Sequence, residues 1–339
     1  NPPPWILAAA ACLLLAGCGR EPSAREQRLA ELIAEGEWEV AQAVASQQLQ
    51  LHPSDPGAYR VWLLAQLADP ALLEKRDPSD LLGPSPDPAL PRAVLHEAVR
   101  SVRKEVRINA LRILGRLEGR GACSIFRYAA DDRDHEVRKV VLQEVRRVKD
   151  PSLRIVVMLG LKDGHWDVRA EAVAALAAID GAGAAPRLIE AMEDSDSYVR
   201  YQARKALLDL ADAVPPAVFR QGWKEASMRE QKDVCALALA RGDNPDGPAL
   251  LADLLRAGVA DHRAEAARLL AERWPEAAAP LFTELLAAET DPAVGLEAAG
   301  FLEARGEESG VRAAAAFRER LRQGIAPPSQ MVGGGNAPR

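Results

Sequence analysis

A Val-Arg pair recurs in this chain at a fixed step of 31 residues, and this repeat most constrains how the chain can fold. The pairs begin at Val106, Val137, Val168 and Val199. Small or branched apolar residues lie four and eight positions after each valine. Because residues at i, i+4 and i+8 share one face of an α-helix, each pair indicates an amphipathic helix.

The same pattern continues in weaker form toward the C-terminus, with Val234, His262 and Val294 in the valine position. Another apolar stretch and a short acidic turn precede most of these helices. Each unit is therefore a helix–turn–helix that cannot bury its apolar faces alone, so the units must stack. We expect an all-α protein, a right-handed α-solenoid of about seven repeats over 92–322 with a small N-terminal helical hairpin.

Composition agrees with helices, because aromatic residues make up only 4% of the chain while alanine and leucine dominate. The four cysteines form no C-x-x-C pair, so neither a zinc site nor a redox pair is indicated. Cys123 and Cys235 fall several repeats apart, and we expect both to be free, buried thiols.

The 31-residue units resemble HEAT repeats, in the short bacterial form whose namesake is a phycobilin lyase. The resemblance covers about 92–322. It implies a stacked helical scaffold, while bilin attachment would follow from fold analogy alone.

The repeated arginines have two interpretations. They could form a basic binding stripe, or an internal ladder in which each arginine pairs with a carboxylate of a turn. The fixed spacing and the recurrent aspartates favour the ladder. Its members are Arg107, Arg138, Arg169 and Arg200 with Asp132, Asp163 and Asp194.

The N-terminal residues 1–17 have the length and apolarity of a signal peptide whose start is truncated, since no basic residue precedes the apolar run. Leu15-Ala16-Gly17-Cys18 resembles the lipobox of bacterial lipoproteins. This resemblance implies lipid attachment at Cys18, a lipidated tether over 18–24, and an outer membrane location facing the periplasm. The alternative is a buried N-terminal helix with an incidental cysteine.

Residues 25–68 carry helical patterns in which Gly36, Trp38, Ala41 and Pro53 resemble the tetratricopeptide consensus. An ordinary helical hairpin explains the same residues. Six prolines in 69–91 predict a semi-rigid linker without helix, and the Pro/Gly-rich tail 323–339 is expected to be disordered.

Charge is distributed unevenly along the chain. The net charge of −6 argues against nucleic-acid binding, yet 92–150 contains 15 Lys and Arg against 9 Asp and Glu. We expect Arg112, Arg116, Lys139 and Arg147 to face outward and bind an acidic protein surface or anionic headgroups. A solvated face with local ion pairs is the alternative.

No converging catalytic groups are evident, so we predict no enzyme activity, no metal ligands and no cofactor. The pairs His96-Glu97 and His135-Glu136 are similar to the iron-binding motifs of deoxyhypusine hydroxylase, but that family uses four such motifs. The favoured function is a membrane-tethered scaffold for a protein partner. The alternatives are a HEAT-repeat enzyme of the bilin lyase or metal-dependent hydroxylase type, and a structural bridge in an envelope assembly.

Overall fold

The computed structural model describes residues 24–69, 78–242 and 244–324. Within these ranges the regular secondary structure is helical and contains no strand, which confirms the all-α class. The chain divides into two compact units, with the boundary between Ile179 and Asp180. The leader, Cys18 and most of the C-terminal tail lie outside the described residues, and the right-handed winding stays a prediction.

The helices up to the boundary include a hairpin region followed by alternating short and long helices. They are α1 (Ala24–Glu35), α2 (Trp38–Leu51), α3 (Pro56–Leu67), α4 (Pro78–Leu81), α5 (Leu90–Ala98), α6 (Lys104–Glu118), α7 (Cys123–Ala129), α8 (His135–Val148), α9 (Arg154–Gly160) and α10 (Trp166–Asp180). The longer helices α6, α8 and α10 contain the Val-Arg pairs.

The second unit repeats the helical pairing and ends with an additional helix. Its described helices are α11 (Ala185–Ala191), α12 (Ser197–Asp209), α13 (Pro216–Glu225), α14 (Arg229–Arg241), α15 (Gly247–Ala257), α16 (Ala260–Arg273), α17 (Pro275–Ala288), α18 (Pro292–Arg305) and α19 (Glu308–Gln323). Helix α19 packs against α17 and α18. Gly295 admits the ring of Phe317 there, because a Cβ at this glycine would collide with it.

The apolar row predicted from the repeat is buried in every helical repeat. Its members are at most 3% exposed: Val106, Ala110, Leu114, Val137, Val141, Val145, Val168, Ala172, Leu176, Val199, Ala203, Leu207, Val234, Ala238, His262, Ala266, Leu270, Val294, Ala298 and Leu302. Their burial against neighbouring helices confirms that the helix pairs stack through this face.

The short helices follow the pattern less closely. Leu159 of α9 belongs to the apolar stretch before the third Val-Arg helix but is 59% exposed, while Val156 and Val157 are buried. The inner face of α9 ends at Gly160, where a Cβ would collide with Leu142. Close approach of the two helices at this glycine leaves Leu159 on the outer side.

The N-terminal helices α1 to α3 share a small core of their own and are also bound by the first repeat. Leu32, Ala41, Ala45 and Val61 form a small buried cluster. The buried Asn109 of α6 donates to the carbonyls of Leu67 and Asp69 at the end of α3, at 2.9 and 2.8 Å. The hairpin therefore docks on the repeats, while its tetratricopeptide character stays a prediction.

The prediction that no helix forms in 69–91 is wrong in its second half. Helix α4 is one turn long and α5 begins at Leu90. Leu81 is fully buried, and the hydroxyl of Tyr59 donates to the Leu82 carbonyl at 2.5 Å. Proline is tolerated at the first turn of a helix, where its missing N–H has no intrahelical role.

Both cysteines within the described ranges are free and buried, which confirms the expectation for Cys123 and Cys235. Burial raises the pKa of the Cys235 thiol to about 12. The stretch Trp166–Ala191 is long and apolar enough to cross a membrane by length and composition. Ala172 and Leu176 within it are fully buried, as expected of a core helix.

Substitution of a row residue tests the stacking. Val141→Ala should lower the free energy of unfolding by about 2 kcal/mol, because it removes two buried methyl groups and leaves a cavity. Val102→Ala is the control, since Val102 is 59% exposed and should change stability by less than about 0.5 kcal/mol. Urea titrations followed by circular dichroism measure both; equal losses would contradict the packing described.

Candidate partner-binding site

Three of the four residues expected to bind a partner come together in the first unit. Arg112 and Arg116 lie on α6, one helical turn apart, and Arg147 lies on α8. All three lie near the carboxylate of Glu144, to which the Arg147 Nε donates at 2.8 Å. We call Arg112, Arg116, Arg147 and Glu144 the arginine cluster.

A glycine allows the cluster to form between α6 and α8. Gly115 lies between the two arginines of α6, and a Cβ there would collide with the carboxylate of Glu144. The bare backbone therefore leaves room for Glu144 to lie against α6. No sequence motif signalled this contact, because the glycine sits inside a helix without ending it.

The electrostatics of the cluster are unbalanced. Glu144 is only 7% exposed, and burial raises the pKa of its carboxyl, opposed by Arg147, Arg116 and Arg112. One carboxylate faces three guanidinium groups, so the cluster keeps a net positive charge whether Glu144 is ionised or protonated. Arg116 and Arg147 are exposed and can contact a partner.

Lys139 is not part of this cluster. Its Nζ lies 3.4 Å from Asp167 Oδ2, an aspartate of the first turn of α10. Lys139 is near the beginning of α8 and Arg147 near its end, so the two side chains have different neighbours. The basic residues counted in 92–150 therefore do not form a single patch.

The repeated arginines of the first unit hold the turns together. Arg107 binds both carboxylate oxygens of Asp132 through Nε and Nη2, each at 2.8 Å. Arg138 binds Asp163 in the same way, at 2.7 and 2.9 Å. We call these two pairs the arginine ladder. A fork bound to both oxygens is the strongest geometry of an Arg–carboxylate pair.

Each ladder residue also binds backbone. The Nη1 of Arg107 donates to the Ser101 and Val102 carbonyls at 2.9 Å, and that of Arg138 to the Asp132 carbonyl at 2.7 Å. Asp163 accepts the backbone N–H of His165 at 2.8 Å. Every polar group of these pairs thus has a partner, as buried charges require.

The remaining predicted ladder members are divided between the two units. In the first unit, Arg169 Nη1 donates to the Asp163 carbonyl at 3.0 Å. In the second, Arg200 Nη1 donates to the Asp194 carbonyl at 2.8 Å, and Asp194 accepts the backbone N–H of Asp196. The side-chain Nε of Arg200 lies 3.6 Å from Glu230, which the sequence did not single out.

Sequence reasoning missed one equivalent pair in the second unit. Arg263 binds both carboxylate oxygens of Glu289, at 2.9 and 2.8 Å, and its Nη1 donates to the Gly258 carbonyl at 2.7 Å. Glu289 accepts the backbone N–H groups of Thr290 and Asp291. The signal was available, since Arg263 directly follows the row residue His262.

Two buried polar residues contact each other in the same compact half of the chain. Asp233 and His262 are each 1% exposed, and His262 Nδ1 lies 3.2 Å from Asp233 Oδ2. Arg204 Nη1 lies 3.0 Å from His262 Nε2. Because a guanidinium only donates, Nε2 accepts and Nδ1 carries the proton that binds Asp233. These bonds satisfy the histidine that replaces valine in the row.

Among the described residues, His135, His165 and Asp167 form a group that could hold a metal ion. One ligand atom from each lies within 4.8 Å of the other two. The sequence analysis predicted no metal ligands, because His135 was considered with the glutamate that follows it and not with His165 in the turn of the next repeat.

The family of HEAT repeats matches residues 156–240. A solved engineered protein is similar over 95% of this chain and 91% of its own length, with 20% identity and a TM-score of 0.41. The complex of CpcE and CpcF of phycocyanin lyase from Nostoc sp. PCC7120 is similar over 67% of this chain and 93% of that chain, with 16% identity and a TM-score of 0.35. No curated protein matches the sequence. The matched residues 156–240 lie within the range 92–322 over which the sequence resembles HEAT repeats.

Removal of a ladder arginine tests its contribution to stability. Arg107→Ala should lower the free energy of unfolding by about 3 kcal/mol, since it leaves the charge of Asp132 unpaired. Arg120→Ala is the matched control, because Arg120 is 74% exposed and its pair with Asp150 should contribute less than about 1 kcal/mol. Urea titrations of both variants measure the two losses of unfolding free energy. Indistinguishable losses would show that the ladder is not a stabilising element.

Proposed function

We propose that this chain is a non-catalytic scaffold whose arginine cluster binds an acidic surface of a partner protein. The observation that carries the proposal is the convergence of three arginines on one buried carboxylate, on the long helices of two successive repeats. Helices hold side chains more rigidly than loops, so the guanidinium groups are positioned before a partner arrives.

The chemistry of the cluster suits a carboxylate-rich partner. Arginine presents planar donors that match carboxylates, and it is enriched among the residues that dominate protein interfaces. Glu144 binds Arg147 through Nε and leaves the exposed edges of Arg116 and Arg147 for a partner. An acidic surface would add the negative charge that the cluster lacks.

The clefts of the first unit support a non-catalytic function. Two of them, of about 520 and 540 Å³, are lined by Asp132, and one also by Asp163. Both carboxylates are bound by an arginine fork and by backbone N–H groups. The hydrogen bond from Arg138 lowers the pKa of the Asp163 carboxyl, and a carboxylate with a lowered pKa is a poor general base.

The proposal includes attachment to the cell envelope through a lipid on Cys18. Its support is the sequence Leu15-Ala16-Gly17-Cys18 directly after an apolar run. Two or more acyl chains would hold the scaffold stably at a membrane. We place it on the outer membrane, facing the periplasm, where a partner would meet the arginine cluster.

Charge reversal tests the binding surface. In cells, a photo-crosslinking residue at Leu117, which is 47% exposed beside Arg116, should capture a partner with an acidic surface, identified by mass spectrometry. The triple variant Arg112→Glu, Arg116→Glu and Arg147→Glu should lose this product, because like charges repel across an interface.

Two controls accompany the charge reversal. Arg120→Glu with Arg127→Glu places negative charge on exposed arginines outside the cluster and should retain the product. Glu144→Gln removes the negative charge of the cluster and should increase crosslinking. An undiminished product in the triple variant, with thermal unfolding unchanged, would refute the proposed surface.

Lipid attachment is tested separately. Expressed with a complete bacterial signal sequence, the chain should incorporate an alkyne-labelled fatty acid and fractionate with membranes. Cys18→Ser should lose the label and release the chain to the soluble fraction, because a single thiol carries the anchor. Cys12→Ser is the control, and should keep the label. Membrane fractionation of Cys18→Ser at the level of the unaltered chain would contradict the tether.

A further inference from the structure

Two turns of successive repeats place a pair of histidines against each other in the first unit. His135 is the first residue of α8, and His165 directly precedes α10. Their imidazole rings stack, with centroids 3.7 Å apart and planes 11° apart. The two residues are separated by 30 positions, one fewer than the repeat step, and they lie in the turns of successive repeats.

An aspartate completes the group. His165 Nδ1 lies 2.5 Å from Asp167 Oδ1, and the Asp167 side chain is only 11% exposed. The His165 side chain is 41% exposed, so the group is open to solvent on one side. One ligand atom of each of the three residues lies within 4.8 Å of the others.

This donor set selects among metal ions. Two imidazole nitrogens and one carboxylate oxygen suit Zn²⁺, Ni²⁺ and Cu²⁺, whereas Mg²⁺ and Ca²⁺ prefer oxygen ligands. Zinc binds such ligands at about 2.0–2.2 Å in tetrahedral geometry, which places ligand atoms about 3.3 Å apart. The ligand atoms now lie within 4.8 Å of one another, so side-chain movements that change their separations by at most about 1.5 Å would reach this spacing.

The surroundings hold the ligands in place. The backbone N–H of His165 donates to Asp163, which the Arg138 fork also binds. Lys139 Nζ lies 3.4 Å from Asp167 Oδ2, the oxygen that does not face His165. Lys139 therefore orients the carboxylate, but its positive charge opposes a bound cation.

The group differs from the histidine–glutamate pairs noted in the sequence. Glu136, which follows His135, accepts a hydrogen bond from Lys104 Nζ at 2.7 Å. Glu97, which follows His96, is bound by Arg60 at 3.0 Å. Neither glutamate belongs to the three-residue group, so the candidate ligands come from two turns and include no such pair.

We propose that His135, His165 and Asp167 bind one zinc-class divalent ion that links the turns at the beginning of α8 and α10. Three protein ligands leave one tetrahedral position for water. The bound ion would join successive repeats in addition to the arginine ladder, whose Asp163 accepts the backbone N–H of His165.

Isothermal titration of the full chain, purified without a histidine tag, tests the site. Titration with ZnCl₂ should show one saturable equivalent, and MgCl₂ should not compete. His135→Ala, His165→Ala and Asp167→Asn should each weaken zinc binding by at least about tenfold. Zinc should also raise the thermal unfolding temperature of the unaltered chain, because it binds only the folded state.

Two further variants distinguish this site from scattered surface binding. His52→Ala removes an exposed histidine elsewhere and should leave the affinity unchanged. Lys139→Gln removes the opposing charge and should tighten zinc binding several-fold. Zinc binding of equal stoichiometry and affinity in the double variant His135→Ala, His165→Ala, folded by circular dichroism, would overturn the proposal.

Discussion

The structure depends on a helix pair that cannot bury its own apolar surface. A valine, a small residue and a third apolar residue recur on one face, and all are nearly inaccessible in both units. Because each face needs the next pair as its cover, stability arises between neighbours and not within single repeats. Small residues in the middle of the row, such as Ala110 and Ala172, let the helices approach closely.

The arginine ladder fixes the orientation of neighbouring repeats, which apolar stacking alone does not. Apolar contacts have little angular preference, whereas a fork bound to two carboxylate oxygens fixes both distance and orientation. Asp163 binds Arg138 and the backbone of its own turn at once. The aspartate therefore orders the turn before α10 and positions Arg138 of α8, which explains why acidic turns recur at the same place in successive repeats.

The 31-residue spacing made the helices, their buried face and the free thiols predictable, because periodicity reports directly on burial. Apart from the arginine ladder, it did not reveal which side chains of different helices come together. Arg263 and Glu289 were missed because histidine replaced the valine used as the marker. Charge counting suggested one basic surface, yet Lys139 belongs elsewhere, since net charge carries no information on which helix face holds it.

The ladder spacing also makes the folding unit differ from the repeat unit. Arg107 finds its carboxylate 25 residues downstream, beyond the helix pair to which it belongs. A fragment that ends after α6 would keep both helices of that pair, α5 and α6, and lose Asp132, so that Arg107, which is 4% exposed in the whole chain, would lack its counter-charge. A fragment that is meant to fold on its own should therefore end after the next acidic turn and not at the end of a helix pair.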